Sequence, residues 1–271
     1  MNETASQDTI HQLMRWYVDA GVDESITDSP VDRFAEEVLL KAEKQAAQSN
    51  PAPVNTPAKV SSVPVGAEEA MHDAVHLAAT ANTVDELQAV IEGFEGCPLK
   101  KSATNLVFLD GNKDSRILLI GGAPGTDEDR QGIPFSGQNG VLFDQMIGSI
   151  GLDRSKILLS SVVFWRPPGN RTPTQAEISV CMPFVERLIE IVDPHVLIAV
   201  GENAARVLLA QKQAIGRLRG KWHDYSLPGL PRPIDLMAIN GPRVLLNSPI
   251  QKREAWQDLL LLKKKLTELA E

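Results

Sequence analysis

Residues Gly121 to Gly137 read GGAPGTDEDRQGIPFSG. The stretch follows the apolar run Arg116-Ile-Leu-Leu-Ile120 and precedes an amphipathic run from Val141 to Ile150. This order predicts a strand, a Gly/Pro-rich turn and a helix. A turn of that kind brings backbone N–H groups and acidic side chains to the carboxyl end of a strand, where open parallel sheets place their ligands. Its glycines permit close approach of the backbone to whatever binds there.

The alternation continues on both sides. Apolar runs at 116–121, 157–163, 195–201 and 233–239 predict strands, and amphipathic runs at 138–150, 175–192, 202–211 and 252–269 predict helices. Apolar strands separated by amphipathic helices predict an α/β fold with a parallel sheet covered on both faces. The layout gathers four loops at one sheet edge, beginning at Gly122, Ser161, Glu202 and Asn240, and a ligand site is expected there. Toward the N-terminus, helical spacing at 6–20 and 31–48 predicts a helical extension over residues 1–48. A Pro/Ser-rich linker is expected at 49–66, and the main domain at 67–271 with its core from about residue 85. Within that domain, helices are expected from Ala67 to Ala79 and from Thr83, an N-cap residue, to about Ile91.

The net charge of −8 argues at first against a nucleic-acid partner, but its distribution does not. Residues 1–100 carry 17 acids and 6 bases, whereas residues 101–271 carry 18 acids and 21 bases. The acidity belongs to the front of the chain, and the remainder is mildly basic, compatible with a DNA-binding face. Apolar content of 43% indicates a globular chain, and no apolar run is long enough to span a bilayer. The N-terminal MNETASQDTIHQ has no secretory pattern, and two cysteines make no disulfide framework. A cytoplasmic location is the resulting expectation.

Three motifs, in order and spacing, carry a family resemblance: GGAPGTDEDRQGIPFSG, Arg166-Pro-Pro-Gly-Asn-Arg171-Thr-Pro-Thr174, and Lys252-Arg253-Glu254-Ala255-Trp256. Over residues 85–271 the chain resembles the iron–sulfur (family 4) uracil-DNA glycosylases. The resemblance implies a three-layer αβα domain around a central four-stranded parallel sheet, and DNA as partner. The implied chemistry is hydrolysis of the N-glycosidic bond of an everted uracil. An aromatic ring stacks on the base, an amide reads its edge, a donor stabilises charge on the departing base, and polar groups assist the sugar cation and the water. The resemblance implies a base pocket from Gly121, Gly122, Ala123, Pro124, Gly125, Asp127, Phe135 and Ser161. For Phe135 the pocket reading is preferred to ordinary core packing. The neighbouring acids Glu128 and Asp129 match the family turn, although a charge cluster alone reads as a solvated loop.

The same resemblance exposes departures. The family carries Glu, Asn and His where this chain has Gly122, Ser161 and Gly241, which leaves Asn240 as the polar side chain nearest the missing His. His223 reads as structural. The four cysteines that hold the family's 4Fe–4S cluster correspond to Phe94, Cys97, Trp165 and Cys181, so loss of the cluster and no cofactor are expected. DNA contacts are expected from Arg166, Arg171, Lys252 and Arg253, and from Leu245 in the apolar run Val244-Leu245-Leu246 at the family's duplex wedge. The competing readings are a capping role for the Arg171–Thr174 loop and a core role for Leu245. The expected function is a DNA repair protein of glycosylase type with impaired or altered catalysis. The alternative is a non-enzymatic binding or regulatory protein whose residues 1–65 engage a protein partner.

Overall fold

The computed structural model describes residues 65–270. The helices expected at 6–20 and 31–48, and most of the linker, lie outside the described residues. Among the described residues, two helices, α1 (Val65–Thr80) and α2 (Val84–Gly93), precede the sheet. Thr83 caps α2 as its spacing predicts, accepting a hydrogen bond from the Glu86 N–H.

Among the described residues six strands form one sheet: β1 (Asp110–Gly111), β2 (Ile117–Gly121), β3 (Leu158–Ser161), β4 (Val196–Val200), β5 (Trp222–Tyr225) and β6 (Ile234–Ile239), in the order β1-β3-β2-β4-β6-β5. The inner four, β3-β2-β4-β6, are all parallel, matching the four expected strands. The sheet as a whole is mixed rather than purely parallel, because β1 and β5 add antiparallel edges. Neither edge has the apolar run that marks an inner strand: β1 is Asp-Gly, and β5, Trp-His-Asp-Tyr, buries only Tyr225. His223 lies on this edge strand, half-buried.

The inner strands alternate their side chains between two cores. Leu118, Ile120, Leu197, Ala199 and Leu236 face α1, α2, α5 (Gln175–Val192) and α6 (Glu202–Leu208). Leu119, Ile198, Met237 and Ile239 face α4 (Gly137–Gly148), α8 (Pro242–Asn247) and α9 (Lys252–Ala270). Two shorter helices complete the domain, α3 (Thr126–Gln131) within the opening motif and α7 (Ile215–Leu218). All four inner strands therefore end at the same sheet edge, at Gly121, Ser161, Val200 and Ile239, where the ligand site was expected.

Helix α9, which begins with the Lys252–Trp256 motif, is tied to the residue after α7 by a buried, two-pronged contact. The Arg219 guanidinium donates through Nε and Nη2 to the Asp258 carboxylate, both at 2.9 Å. Asp258 is 1% exposed. Burial pushes its pKa up to about 6 and outweighs the opposing pull of Arg219. A carboxylic acid whose folded pKa is raised contributes stability that is full below the unfolded value and is lost as pH climbs through the folded one. In denaturant unfolding between pH 4 and about pH 6.5, the stability difference between the natural chain and Asp258→Asn is expected to shrink, by up to about 3 kcal/mol, as pH rises.

Candidate functional site

The opening motif begins where β2 ends and pairs onward with β3. Val162 N–H donates to the Gly121 carbonyl at 2.9 Å and Val163 N–H to the Gly122 carbonyl at 3.1 Å. Ser161 is buried directly across from Gly121 in the parallel register. The Phe135 ring lies against Gly121: a Cβ there would stand 2.9 Å from the ring's Cζ. Only a residue without a side chain allows that approach. Phe135 is 6% exposed and stacks on Phe143 of α4, with centroids 4.5 Å apart. It thus joins both readings, packed into the core on one side and flush with the carboxyl end of β2 on the other.

Phe135 has a φ of 52°, a left-handed backbone conformation unusual for an aromatic residue. Glu128 holds it there. Its carboxylate accepts from the Phe135 N–H at 2.7 Å and from the Gly125 N–H at 2.6 Å, clasping both ends of the turn. Burial pushes the Glu128 carboxyl up, while these two hydrogen bonds and the charge of Arg243 on α8 pull against that shift. Asp129 is also turned inward and accepts from the backbone N–H groups of Thr104 (2.8 Å) and Asn105 (3.2 Å). A solvated acidic loop is not what forms. Instead α3 uses its acids to satisfy backbone donors that the irregular turn leaves unpaired. Asp127 is the partly exposed member and pairs with Arg130 at 3.0 Å.

The Arg166–Thr174 loop joins this turn. Arg166 Nε donates to Asn170 at 2.7 Å, its Nη1 lies 3.8 Å from Asp129, and Asn170 Nδ2 reaches Thr126 at 3.3 Å. Arg171 makes a two-pronged contact with Glu177, at 2.9 and 2.6 Å, which holds the Glu177 carboxyl below its usual range. Thr174 and Glu177 form a capping box at the start of α5. Both arginines are therefore engaged in building the loop. Lys252 and Arg253 are exposed at the start of α9.

At the far end of β6, Asn240 is 1% exposed, and both Nδ2 and Oδ1 lack a hydrogen-bond partner among the described residues. Burying an amide in that state costs on the order of 1–3 kcal/mol per unmade bond, so it marks a place where a partner is expected. The next residue, Gly241, faces Gly201 at the end of β4, and a Cβ at Gly241 would stand 3.4 Å from the Gly201 Cα. Leu245 requires a correction. It is 1% exposed and packs in the core beneath α8, because the apolar run folds as a helix that turns it inward, and the neighbouring exposed residue is Leu246, at 36%.

A family model described as the uracil DNA glycosylase superfamily matches residues 108–260. The chain belongs to that superfamily. Among its relatives is a type-4 uracil-DNA glycosylase of Archaeoglobus fulgidus, 33% identical over 191 residues, which cover 69% of this chain and 93% of the relative. A second, of Pyrobaculum aerophilum, is 30% identical across 66% of this chain and 92% of its own length. A third, of Thermotoga maritima, is 38% identical across 48% of this chain and 68% of its own length.

These relatives correct the expectation that the chain has lost its cofactor. They are type-4 enzymes, a family that carries a 4Fe–4S cluster, and loss of the cluster is not established by a count of cysteines. The positions themselves lie in the core on the opposite sheet face from Phe135. Cys97 and Cys181 are buried there as free thiols. Their mutual hydrogen bond holds Cys97 below the usual thiol range and, with burial, pushes Cys181 well above it. Phe94 stacks edge-on against Phe184 at 5.1 Å and Trp165 against Phe164 at 6.0 Å. Two thiols and two aromatic rings do not fit a four-thiolate cluster, and none of the site chemistry is routed through one.

Glu128, Arg243 near it and Asn203 of α6, whose side chain lies against Gly122, are the residues beside this turn that the sequence reading left out of the pocket and its DNA contacts. For Asn203 only its place was legible, three residues beyond the end of the inner parallel strand β4. Replacing Glu128 by Ala is expected to cost about 1–3 kcal/mol in denaturant unfolding, with Glu128→Gln, which keeps one acceptor oxygen, losing less.

Proposed function

We propose that this chain is a DNA repair protein of the uracil-DNA glycosylase type, acting in the cytoplasm, that takes an everted base against Phe135 and cleaves its glycosidic bond with altered and weakened catalysis. The observation that carries the reading is Asn240, a buried amide whose polar atoms both lack a partner among the described residues, at the carboxyl edge of the sheet. In hydrolysis of the bond, the pair of electrons between C1′ and the base leaves on the base, a water oxygen bonds to C1′, and the proton that the water loses ends on the base. Asn240 Nδ2 would donate to the charge developing on the departing base. Phe135 would stack on the base, and Ser161 would offer a single hydroxyl to its edge where an amide could offer two contacts. The Arg166 loop and the exposed Lys252 and Arg253 would meet the DNA backbone. Weakened catalysis follows from glycine at positions 122 and 241, which removes a carboxylate and an imidazole.

The test is single-turnover release of uracil from single-stranded and mismatched DNA. Slow release is expected from the natural sequence, and release about 100- to 1,000-fold slower still from Asn240→Ala. Gly241→His is expected to raise the rate, since a Cβ there meets only ordinary contact with Gly201. Phe135→Ala is expected to weaken binding to uracil-containing DNA. Equal rates for the natural chain and Asn240→Ala, with affinity unchanged in Phe135→Ala, would overturn the pocket assignment. Silence from the natural chain and from Gly241→His, with DNA still bound, would favour a binding protein whose acidic residues 1–65 engage a protein partner.

A further inference from the structure

Gly122 removes a side chain from the pocket edge, but the space it vacates is taken. A Cβ built on Gly122 would stand 3.1 Å from Asn203 Cβ, 3.7 Å from its Nδ2 and 3.9 Å from its Cγ. The Asn203 side chain, its stem nearest and its amide within 4 Å, therefore borders the space that a side chain at position 122 would enter. Asn203 sits in the first turn of α6, directly after β4, and its backbone is fixed on both sides. Gly201 N–H donates to the Ile239 carbonyl at 2.8 Å, and Ala205 N–H donates to the Gly201 carbonyl at 3.0 Å. The same Gly201 faces Gly241, next to the unpartnered amide of Asn240. Three strand ends thus bring one sequence of groups together along the sheet edge: Gly122, Asn203, Gly201 and Gly241, with Asn240 behind them.

We infer that Asn203 is the water- and sugar-facing polar group of this site, occupying from α6 the position left empty on β2. The inference rests on the glycosylase reading and assigns a role to a residue outside it. A neutral amide can accept one O–H of a water and donate to another acceptor, so it can orient the water that bonds to C1′. It carries no net charge and cannot balance a sugar cation as a carboxylate does. The site would then run on two neutral amides, Asn240 toward the base and Asn203 toward the sugar and water.

The experiment compares the natural chain with Asn203→Ala and Asn203→Asp, after thermal melts show that all three fold. The first readout is binding to DNA that carries a cationic pyrrolidine ring in place of the sugar at one abasic position, which needs no catalysis. Asn203→Asp puts a carboxylate on the same stem and is expected to bind this DNA about tenfold tighter than the natural chain at pH 7, an advantage that fades as the carboxylate protonates near pH 4. The second readout is single-turnover uracil release, expected to fall about tenfold or more in Asn203→Ala and to gain an acid limb in its pH profile in Asn203→Asp. If the natural chain releases uracil and neither variant changes binding or release, the role of Asn203 is overturned while the pocket stands. If the natural chain and Gly241→His both release no uracil, the glycosylase reading fails and the inference fails with it.

Discussion

The carboxylate of Glu128 is the interaction on which the turn after β2 depends. An irregular turn at the end of a buried strand has backbone donors that no ladder satisfies, and water cannot reach them all. Glu128 takes two of these donors at once, at Gly125 and Phe135. In doing so it fixes the entry of the turn, its exit, and an aromatic residue whose φ of 52° would otherwise relax. Gly121 then lets that ring lie flat on the strand end. A bond to one end alone would fix either the turn or the ring, and the shape of the pocket needs both.

The second motif extends this frame. Arg166, Asn170 and Thr126 tie the proline-rich loop to α3, and Arg171 with Glu177 ties the same loop to α5. Arginine on such a loop is easily read as poised for phosphate. Here each guanidinium already has a carboxylate or amide partner, so the loop owes its rigidity to the residues that would otherwise advertise a DNA contact. Its prolines restrict the backbone, and its side-chain pairs restrict the rest.

Much of the fold was legible in the sequence because strands covered on both faces must be apolar throughout. The four inner strands follow from that alone, and α5 from Thr174 and Glu177 at capping spacing. The edge strands were not legible, since β5 packs one side chain inward and β1 is only two residues long. The acidic run Asp127–Asp129 misled by composition, because charge count says nothing of backbone donors waiting to be met. Leu245 misled by its place in a motif, whereas helical geometry sends it to the core. Position 240 could be found by spacing from the final motif, but its lack of partners is a three-dimensional property. For Asn203 only its place after β4 was legible, because its relation to Gly122 is adjacency across two strands.

That adjacency sets what can replace Gly122. A side chain placed there would bring its Cβ within 3.1 Å of the Asn203 stem, so α6 must give by a few tenths of an ångström to admit it. A smaller residue at 203 would relieve that contact. Gly241, which among the described residues has only the Gly201 backbone within 4 Å of its Cβ position, meets ordinary contact instead. Two glycines that look equivalent in the sequence therefore differ in tolerance, one open to substitution and the other braced by a neighbour's stem.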